Sequence, residues 1–221
     1  MKITIFGATG GVGRLALEQA VAAGHDVTAV VRNPDLLPPN TRHVKADLTI
    51  ADPAALEGAV AGADGVLSAL GPRSKADAGI VTKGTGLIVR AMKAVDVRRL
   101  IVISAYPVGT VPSPARPNPP RHDPGDGFVM RTVLNPIVKA AFRSTYADLA
   151  EMEDVVRASG LDWTIARPPR LVNKAFTGKY RTSFDRNLPG GRTISRADLA
   201  HFMLSALRQP ETIGQTVRVT S

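Results

Sequence analysis

A glycine-rich turn near the start of the chain constrains its fold more than any other feature. Residues 2–6 form a short apolar run, glycines follow at positions 7, 10 and 13, and residues 14–20 have a helical pattern. A strand that leads through such a turn into a helix presents unpaired N–H groups and the positive end of the helix dipole at one point. Gly7 permits the tight turn, Gly10 lets a phosphate approach the backbone, and Gly13 lets the helix pack against the strand. This context predicts a pyrophosphate site of the dinucleotide-binding type, with a plain β–α turn as the alternative.

The rest of the chain alternates between predicted strands and predicted helices. Buried parallel strands read as continuous apolar runs, and their alternation with helices is typical of a parallel sheet covered on both faces. We expect strands at residues 2–6, 27–31, 43–46, 65–70, 100–104, 163–166 and 216–220, with an extended segment at 179–184. We expect helices after the glycine turn and at residues 53–60, 81–94, 128–140, 146–158 and 196–207. The predicted fold class is α/β, a Rossmann-like doubly wound sheet in one domain over residues 1–221, with a small C-terminal lobe on the substrate side.

A proline-rich segment interrupts this alternation at residues 107–125. Seven of the 17 prolines lie between Pro107 and Pro124, so neither a helix nor a central strand is expected there. The segment leaves the carboxyl end of the fifth strand, where ligands of open α/β sheets bind. It is interpreted either as a lid over that site or as a surface excursion without a role.

Composition and charge exclude several classes of function. The chain has no cysteine, which excludes disulfides and thiolate chemistry, and its four histidines are too scattered for a metal site. No apolar run approaches the roughly 20 residues that span a membrane, and no signal peptide is recognisable. We therefore expect no membrane partner and a cytoplasmic location. The net charge of +9 is spread along the chain without a basic run or an aromatic-rich motif, so it favours small anionic ligands over specific nucleic-acid binding.

The end of the second predicted strand indicates which cofactor is bound. An acidic residue there would accept hydrogen bonds from a ribose 2′-hydroxyl and repel a 2′-phosphate. This chain has Arg32 instead, and the guanidinium fork suits a phosphate, so NADP(H) is favoured over NAD(H). The alternative is a solvated charge at a strand end. Asp47 and Leu48 follow the third strand, where they could contact an adenine, and Leu70 and Gly71 close the fourth; in both places an ordinary turn is the alternative.

Several short motifs, taken in order, resemble a known family. They include residues 5–10 (IFGATG), 30–32 (VVR), 47–48 (DL), 70–71 (LG), 103–105 (ISA), 159–163 (SGLDW), 168–169 (PP), 177–180 (TGKY) and 194–203 (ISRADLAHFM). The chain resembles the atypical short-chain dehydrogenase/reductases with NmrA-like NAD(P)-binding domains, and within them the biliverdin-IXβ reductase/flavin reductase group. The resemblance implies a Rossmann-like fold and an NADPH-dependent reductase. With the glycine turn, it gives a predicted set of cofactor-binding residues: Gly7, Thr9, Gly10, Gly11, Val12, Gly13, Arg32, Asp47, Leu48, Leu70 and Gly71.

The same resemblance implies catalytic candidates, with two departures from the family pattern. The serine beside the nicotinamide corresponds to Ser104, whose hydroxyl could bind the carboxamide or the substrate; the alternative is a serine that only ends a strand. Tyr106 lies near Ser104 in the sequence and is a weaker candidate proton donor, with packing in the core or lid as the alternative. The usual Tyr-x-x-x-Lys pair is absent, since Ala150 stands four residues after Tyr146. The flavin reductase group has Pro-Pro-His where this chain has Arg170 after two prolines, and we expect Arg170 to bind an anionic substrate.

These features predict an NADPH-dependent oxidoreductase that transfers hydride to a flat conjugated acceptor such as a flavin, a quinone or a tetrapyrrole. Such a reaction needs little acid–base chemistry from the protein, which agrees with the missing Tyr–Lys pair. The alternative is a redox sensor that binds NADP(H) without turnover. An isomerase or epimerase that uses the nucleotide transiently is a third interpretation.

Overall fold

An eight-stranded sheet forms the centre of the computed structural model, which describes residues 1–72, 79–123, 125, 135–184 and 186–221. The strands along the chain are β1 (Lys2–Phe6), β2 (Asp26–Val31), β3 (His43–Lys45), β4 (Gly65–Ser68), β5 (Arg99–Ile103), β6 (Asp162–Arg167), β7 (Arg170–Val172), β8 (Arg181–Ser183), β9 (Thr193–Ser195) and β10 (Gln215–Thr220). The order in the main sheet is β3-β2-β1-β4-β5-β6-β10-β8, and every pairing is parallel except that of β8 with β10. The predicted Rossmann-like parallel sheet is confirmed.

Strand β1 lies where the direction of winding changes. The chain first extends the sheet outward through β2 and β3, then returns to pair β4 with the other side of β1 and continues through β5 and β6. In open α/β sheets a crevice opens at the carboxyl ends of the strands at this switch point. The glycine turn after β1 therefore lies at the position where the topology places a ligand.

Helices cover both faces of the sheet. They are α1 (Gly11–Ala22), α2 (Pro53–Val60), α3 (Ile80–Ala94), α4 (Asn135–Ala141), α5 (Arg143–Arg157) and α6 (Arg196–Ala206). One core cluster joins α1 and α6 to one face, with fully buried Ile5, Leu199 and Met203. The other joins α2, α3 and α5 to the opposite face, with fully buried Phe6 and Met152. Alternate residues of β1 thus enter different cores, as the strand period of two requires.

Local capping explains two of the helix starts. Asp52 accepts a hydrogen bond from the Ala54 N–H at 3.1 Å and Pro53 begins α2, so this helix starts where predicted. Ser195 accepts from the Asp198 N–H at 2.9 Å at the start of α6 and donates to the Asp198 carboxylate at 2.8 Å. Asp198 also accepts the Thr177 N–H at 2.9 Å, which ties α6 to the preceding loop. Burial raises the pKa of Asp198, but these hydrogen bonds outweigh it and leave the pKa lowered.

The structure corrects the prediction for the proline-rich segment at its start. A 3-10 helix covers Tyr106–Thr110, although no helix was expected from Pro107 onward. Pro107 is the second residue of this helix, where the missing N–H costs nothing because first-turn N–H groups have no internal partner. Pro124 and the first part of the helix predicted at 128–140 lie outside the described residues; α4 covers the end of that prediction.

Two short strands were missed. Strands β7 and β9 form a separate two-stranded parallel sheet, with Leu171 opposite Ile194. This sheet leads directly into α6. The segment predicted as extended at 179–184 contains β8, which joins the main sheet at its edge.

The two edge strands of the main sheet are short. Each of β3 and β8 has three residues, and both include exposed basic side chains, Lys45 and Arg181. Among the described residues, no helix is both long and apolar enough to cross a membrane.

Candidate functional site

A cavity of about 440 Å³ opens at the carboxyl ends of β1, β2, β4 and β5. It is lined by Gly7, Thr9, Gly10, Gly11, Val12, Val30, Val31, Arg32, Ala46, Asp47, Leu48, Ala69, Leu70, Gly71, Pro72, Ile80, Ile103, Ser104, Leu149, Leu171 and Arg196. All the site residues expected from the sequence lie in this lining except Gly13, Tyr106 and Arg170. One crevice therefore joins the glycine turn, the end of β2 and the end of β5.

The glycine turn forms the floor of the cavity at the start of α1. Gly10 precedes the helix in an extended conformation, no side chain caps the helix, and its first turn has no acidic residue. Gly7 has a φ of +74°, and a Cβ there would lie 2.8 Å from the Ala69 carbonyl oxygen. A Cβ at Gly13 would lie only 2.2 Å from the Gly7 carbonyl oxygen. The uncapped N–H groups and the close backbone packing fit a bound pyrophosphate.

A second positive group lies beside this turn. The Arg196 side chain comes from the first residue of α6, lines the cavity, and passes so close to Gly11 that a Cβ there would lie 2.8 Å from Nε. Its Nη1 donates to Asn173 Oδ1 at 2.7 Å, and in the described part of the chain it has no carboxylate within ion-pair distance. A guanidinium held in this way adds positive charge beside the start of α1 and could contact an anion there. The sequence analysis missed Arg196, because only the packing of α6 on α1 brings it to the turn.

The side of the cavity at the ends of β2 and β3 carries the residues that the sequence analysis expected near an adenosine. Arg32 follows β2, is exposed and lines the cavity. Asp47 Oδ1 accepts the N–H of Thr49 at 2.9 Å and its hydroxyl at 2.8 Å, and these bonds lower the pKa of Asp47. Leu48 is buried against α3, where Gly84 leaves room for it: a Cβ on Gly84 would lie 3.0 Å from Leu48 Cδ1.

The end of the cavity at β5 combines one hydroxyl with apolar walls. Ser104 directly follows β5, is 4% exposed, and its N–H donates to the Ala166 carbonyl oxygen at 2.7 Å. Ile103, Leu149 and Leu171 line the cavity beside it. The Ser104 hydroxyl donates to Glu153 Oε1 at 2.6 Å. Of the described residues named here, a planar group that entered would meet the hydrocarbon surfaces of Ile103, Leu149 and Leu171 and the polar side chain of Ser104.

Glu153 is the centre of a buried ionic cluster behind Ser104. Its carboxylate is fully buried and accepts from Arg167 at both oxygens, from Arg157 Nη2 at 2.7 Å, and from Ser104. Burial raises the pKa of Glu153, but the hydrogen bonds and charge of Arg167, the charge of Arg157 and the Ser104 bond outweigh it and lower the pKa. Glu153 is therefore ionised. The sequence analysis missed this cluster, whose members lie on three different elements.

The three remaining predicted residues lie outside the cavity lining. Gly13 supports the turn from below, as described above. Tyr106 is buried in the 3-10 helix, where its N–H donates to the Pro168 carbonyl oxygen at 2.9 Å. Arg170 begins β7 with an exposed side chain, whereas its neighbour Leu171 lines the cavity. Tyr146 also lies outside the lining, and burial raises the pKa of its phenol. None of these positions supplies a proton donor that faces the cavity.

The described part of the proline-rich segment packs on the protein away from the cavity. The Ala115 N–H donates to Asp154 on α5 at 3.0 Å, and Arg116 Nη2 donates to the Val108 carbonyl oxygen at 2.9 Å. Asp123 forms a buried ion pair with Arg218 on β10 at 2.8 Å. None of residues 107–123 lines the cavity. The lid therefore stays a prediction, and closure would have to release these contacts.

Comparisons with known proteins agree with this geometry. A family model described as NAD(P)H-binding matches residues 7–210. The chain is 26% identical to the uncharacterised protein YwnB of Bacillus subtilis over 230 residues, which cover 100% of this chain and 99% of YwnB. It is 30% identical over 190 residues to a UPF0659 protein of Schizosaccharomyces pombe, covering 80% of this chain and 74% of that protein.

Solved structures show the same fold. The oxidoreductase YlbE of Lactococcus lactis has a TM-score of 0.78 at 20% identity, covering 100% of this chain and 91% of its own. SP1627 of Streptococcus pneumoniae, described as a candidate NADH-flavin reductase, has a TM-score of 0.75 at 21% identity, and the match covers 100% of this chain and 99% of SP1627. The anaerobilin reductase ChuY of Escherichia coli O157:H7 has a TM-score of 0.75 at 21% identity, and the match covers 100% of this chain and 97% of ChuY. These neighbours have the Rossmann-like fold that the sequence motifs predicted.

Proposed function

Because the chain belongs to the NAD(P)H-binding family, we propose that it is an NADPH-dependent reductase that transfers hydride to a flat conjugated acceptor such as a flavin, a quinone or a linear tetrapyrrole. The observation that carries this proposal is the single cavity that joins an uncapped helix start, Arg32 and Ser104. Two of the structural neighbours are described as acting on acceptors of this kind.

Three parts of the cavity have distinct tasks in this proposal. The N–H groups at the start of α1, with Arg196 beside them, bind the pyrophosphate. Arg32 binds the 2′-phosphate, and Leu48 and Asp47 contact the adenine. Leu70, Gly71 and Ser104 position the nicotinamide.

A bound nicotinamide supplies the hydride, so the protein needs only to orient the partners and exclude water. The apolar walls formed by Leu149, Leu171 and Ile80 suit a planar acceptor. Among the described residues that line the cavity, the neighbours Ile103, Leu149 and Leu171 at the β5 end have no ionisable group, which agrees with a reaction that draws little on protein acid–base chemistry.

The test is NADPH oxidation by the purified protein with a panel of flavins, quinones and linear tetrapyrroles. We expect turnover with at least one class and a preference for NADPH over NADH. Binding of NADPH without turnover of any acceptor would contradict the enzyme proposal and favour a sensor.

The Arg32→Asp variant tests the cofactor preference. Loss of a charge-assisted contact worth about 1.5–3 kcal/mol should weaken NADPH binding about ten- to a hundredfold. The new carboxylate also repels the 2′-phosphate and can accept a hydrogen bond from the 2′-hydroxyl of NADH, so the preference should reverse. Arg192→Asp, at an exposed arginine outside the cavity lining, is the matched control for charge. Unchanged selectivity in Arg32→Asp would contradict the role of Arg32.

A further inference from the structure

The hydrogen-bonding state of Ser104 follows from the buried groups behind it. A serine hydroxyl has one hydrogen to donate and lone pairs that accept. Ser104 Oγ lies 2.6 Å from Glu153 Oε1, a short distance typical of a hydroxyl that donates to a carboxylate. A carboxylate cannot donate in return, so the Ser104 hydrogen points at Glu153.

The other contacts of Glu153 fix this direction. Arg167 donates through Nε to Oε1 at 2.6 Å and through Nη2 to Oε2, while Arg157 donates to Oε2 at 2.7 Å. With Ser104 these are four donors around one carboxylate, which fills its acceptor capacity. Protonation of Glu153 would break one of these bonds in a site where it is 0% exposed. The group therefore stays an anion and keeps the serine hydrogen.

The surrounding backbone leaves little room for rearrangement. Glu153 is on α5, whereas Arg167 ends β6 and is 3% exposed. The 3-10 helix packs over the guanidinium so closely that a Cβ at Gly109 would lie 2.7 Å from Arg167 Nη1. The Glu153–Arg167 pair is thus held by three elements of the fold.

We propose that Glu153 is a positioning residue that turns the Ser104 hydrogen away from the cavity, so that Ser104 acts there only as a hydrogen-bond acceptor. This inference rests on the proposed function. The group that Ser104 then selects is an N–H donor, and in a nicotinamide the carboxamide NH₂ is such a donor. Ser104 accordingly recognises the cofactor and supplies no proton to the hydride acceptor.

The test compares one ligand that lacks this donor with two that have it, one of which has a changed carbonyl. NADP⁺ has the carboxamide NH₂, thionicotinamide-NADP⁺ keeps it, and 3-acetylpyridine-NADP⁺ has a methyl group in its place. By calorimetry, we expect the wild-type protein to bind NADP⁺ and the thio analogue about fivefold or more tighter than the acetyl analogue, the ratio that one net hydrogen bond gives. In Ser104→Ala the ratio should fall to within about twofold. Ser68→Ala, at a buried serine that ends β4 outside the cavity lining, is the matched control and should keep the wild-type ratio.

A second variant separates positioning from simple support. In Glu153→Gln the side-chain amide can donate to Ser104, which frees the serine hydrogen, so the preference for the carboxamide should disappear although Ser104 is intact. A wild-type ratio that persists in folded Glu153→Gln overturns the role of Glu153. If this variant does not fold, Glu153→Asp takes its place: the shorter side chain withdraws the carboxylate from Ser104 Oγ, and the same loss of preference is expected. A wild-type ratio that persists in Ser104→Ala overturns the inference alone, whereas failure of the wild-type protein to bind any of the three nucleotides overturns the proposed function as well.

Discussion

The closest backbone contact in the glycine turn gives a prediction with a calculable size. Replacement of Gly13 by alanine places a Cβ 2.2 Å from the carbonyl oxygen of Gly7 and 3.1 Å from the Ala8 Cα. The first distance must grow by more than about 1 Å to reach an ordinary contact. Both obstacles are backbone atoms, which cannot rotate away as a side chain can, so α1 must move relative to β1.

Two opposing terms set the expected change in stability. Alanine in a helix interior is favoured over glycine by about 1 kcal/mol. Overpacking of a close contact costs about 1–3 kcal/mol, and a rigid backbone obstacle lies at the upper end or beyond. We expect Gly13→Ala to lower the free energy of unfolding by about 2 kcal/mol, which lowers Tm by about 4–8 °C for a chain of this size.

Gly58 in α2 provides the matched control. A Cβ there meets nothing within 4 Å, and the residue is exposed, so only the helix-propensity term applies. Gly58→Ala should therefore raise Tm by about 2–4 °C. Thermal unfolding followed by circular dichroism measures both variants.

The same pair of variants reports on the site. Displacement of α1 moves its first N–H groups, so Gly13→Ala should reduce the rise in Tm that NADPH produces, whereas Gly58→Ala should keep the full rise. If Gly13→Ala is as stable as Gly58→Ala and keeps the full response to NADPH, the argument that this close approach builds the anion site is refuted.

Two further predictions concern charged groups that the sequence analysis missed. Arg196→Gln should weaken the binding of NADP⁺ and of NAD⁺ by the same factor, about tenfold, because both nucleotides have the pyrophosphate that Arg196 would contact. Calorimetry measures the two affinities, with Arg192→Gln as the control. A loss of affinity confined to NADP⁺ would contradict the assignment. Because folding lowers the pKa of Glu153, its ionised form stabilises the protein above the usual carboxyl range, and that contribution is lost as the pH falls through about 4 and below. The free energy of unfolding in urea should therefore fall less on acidification in Glu153→Gln than in the wild-type protein. Equal dependence of this free energy on pH in the two proteins would contradict the prediction.

Local signals explain how much of the fold the sequence predicts. Buried parallel strands have apolar runs that are visible without knowledge of their partners, and Asp52 with Pro53 marks the start of α2 to the residue. Strands β7 and β9 have three residues each and are paired across about 20 intervening residues, so neither has a recognisable pattern of its own. The sequence analysis missed the 3-10 helix at Tyr106–Thr110 because many prolines in a segment argue against a helix in general. Pro107, however, lies in the first turn, where a proline is tolerated.

The same distinction applies to the candidate site. The glycine turn is encoded within seven residues, and Arg32 is found by its place at a strand end. Arg196 and Glu153 acquire their positions only when α6 packs on α1 and α5 packs beside β6. The pattern of residues 194–203 pointed to this region through resemblance but gave no role to its arginine.

The short basic strands at the two margins of the sheet bear on self-association. A long, flat, apolar margin offers a row of free amides and carbonyls on which another chain can polymerise. Here β3 and β8 have three residues each and present Lys45 and Arg181 to solvent. Engineering that extends either strand with β-branched residues, or neutralises these two cations, would create a template for fibre growth at an edge where the described strands now offer little.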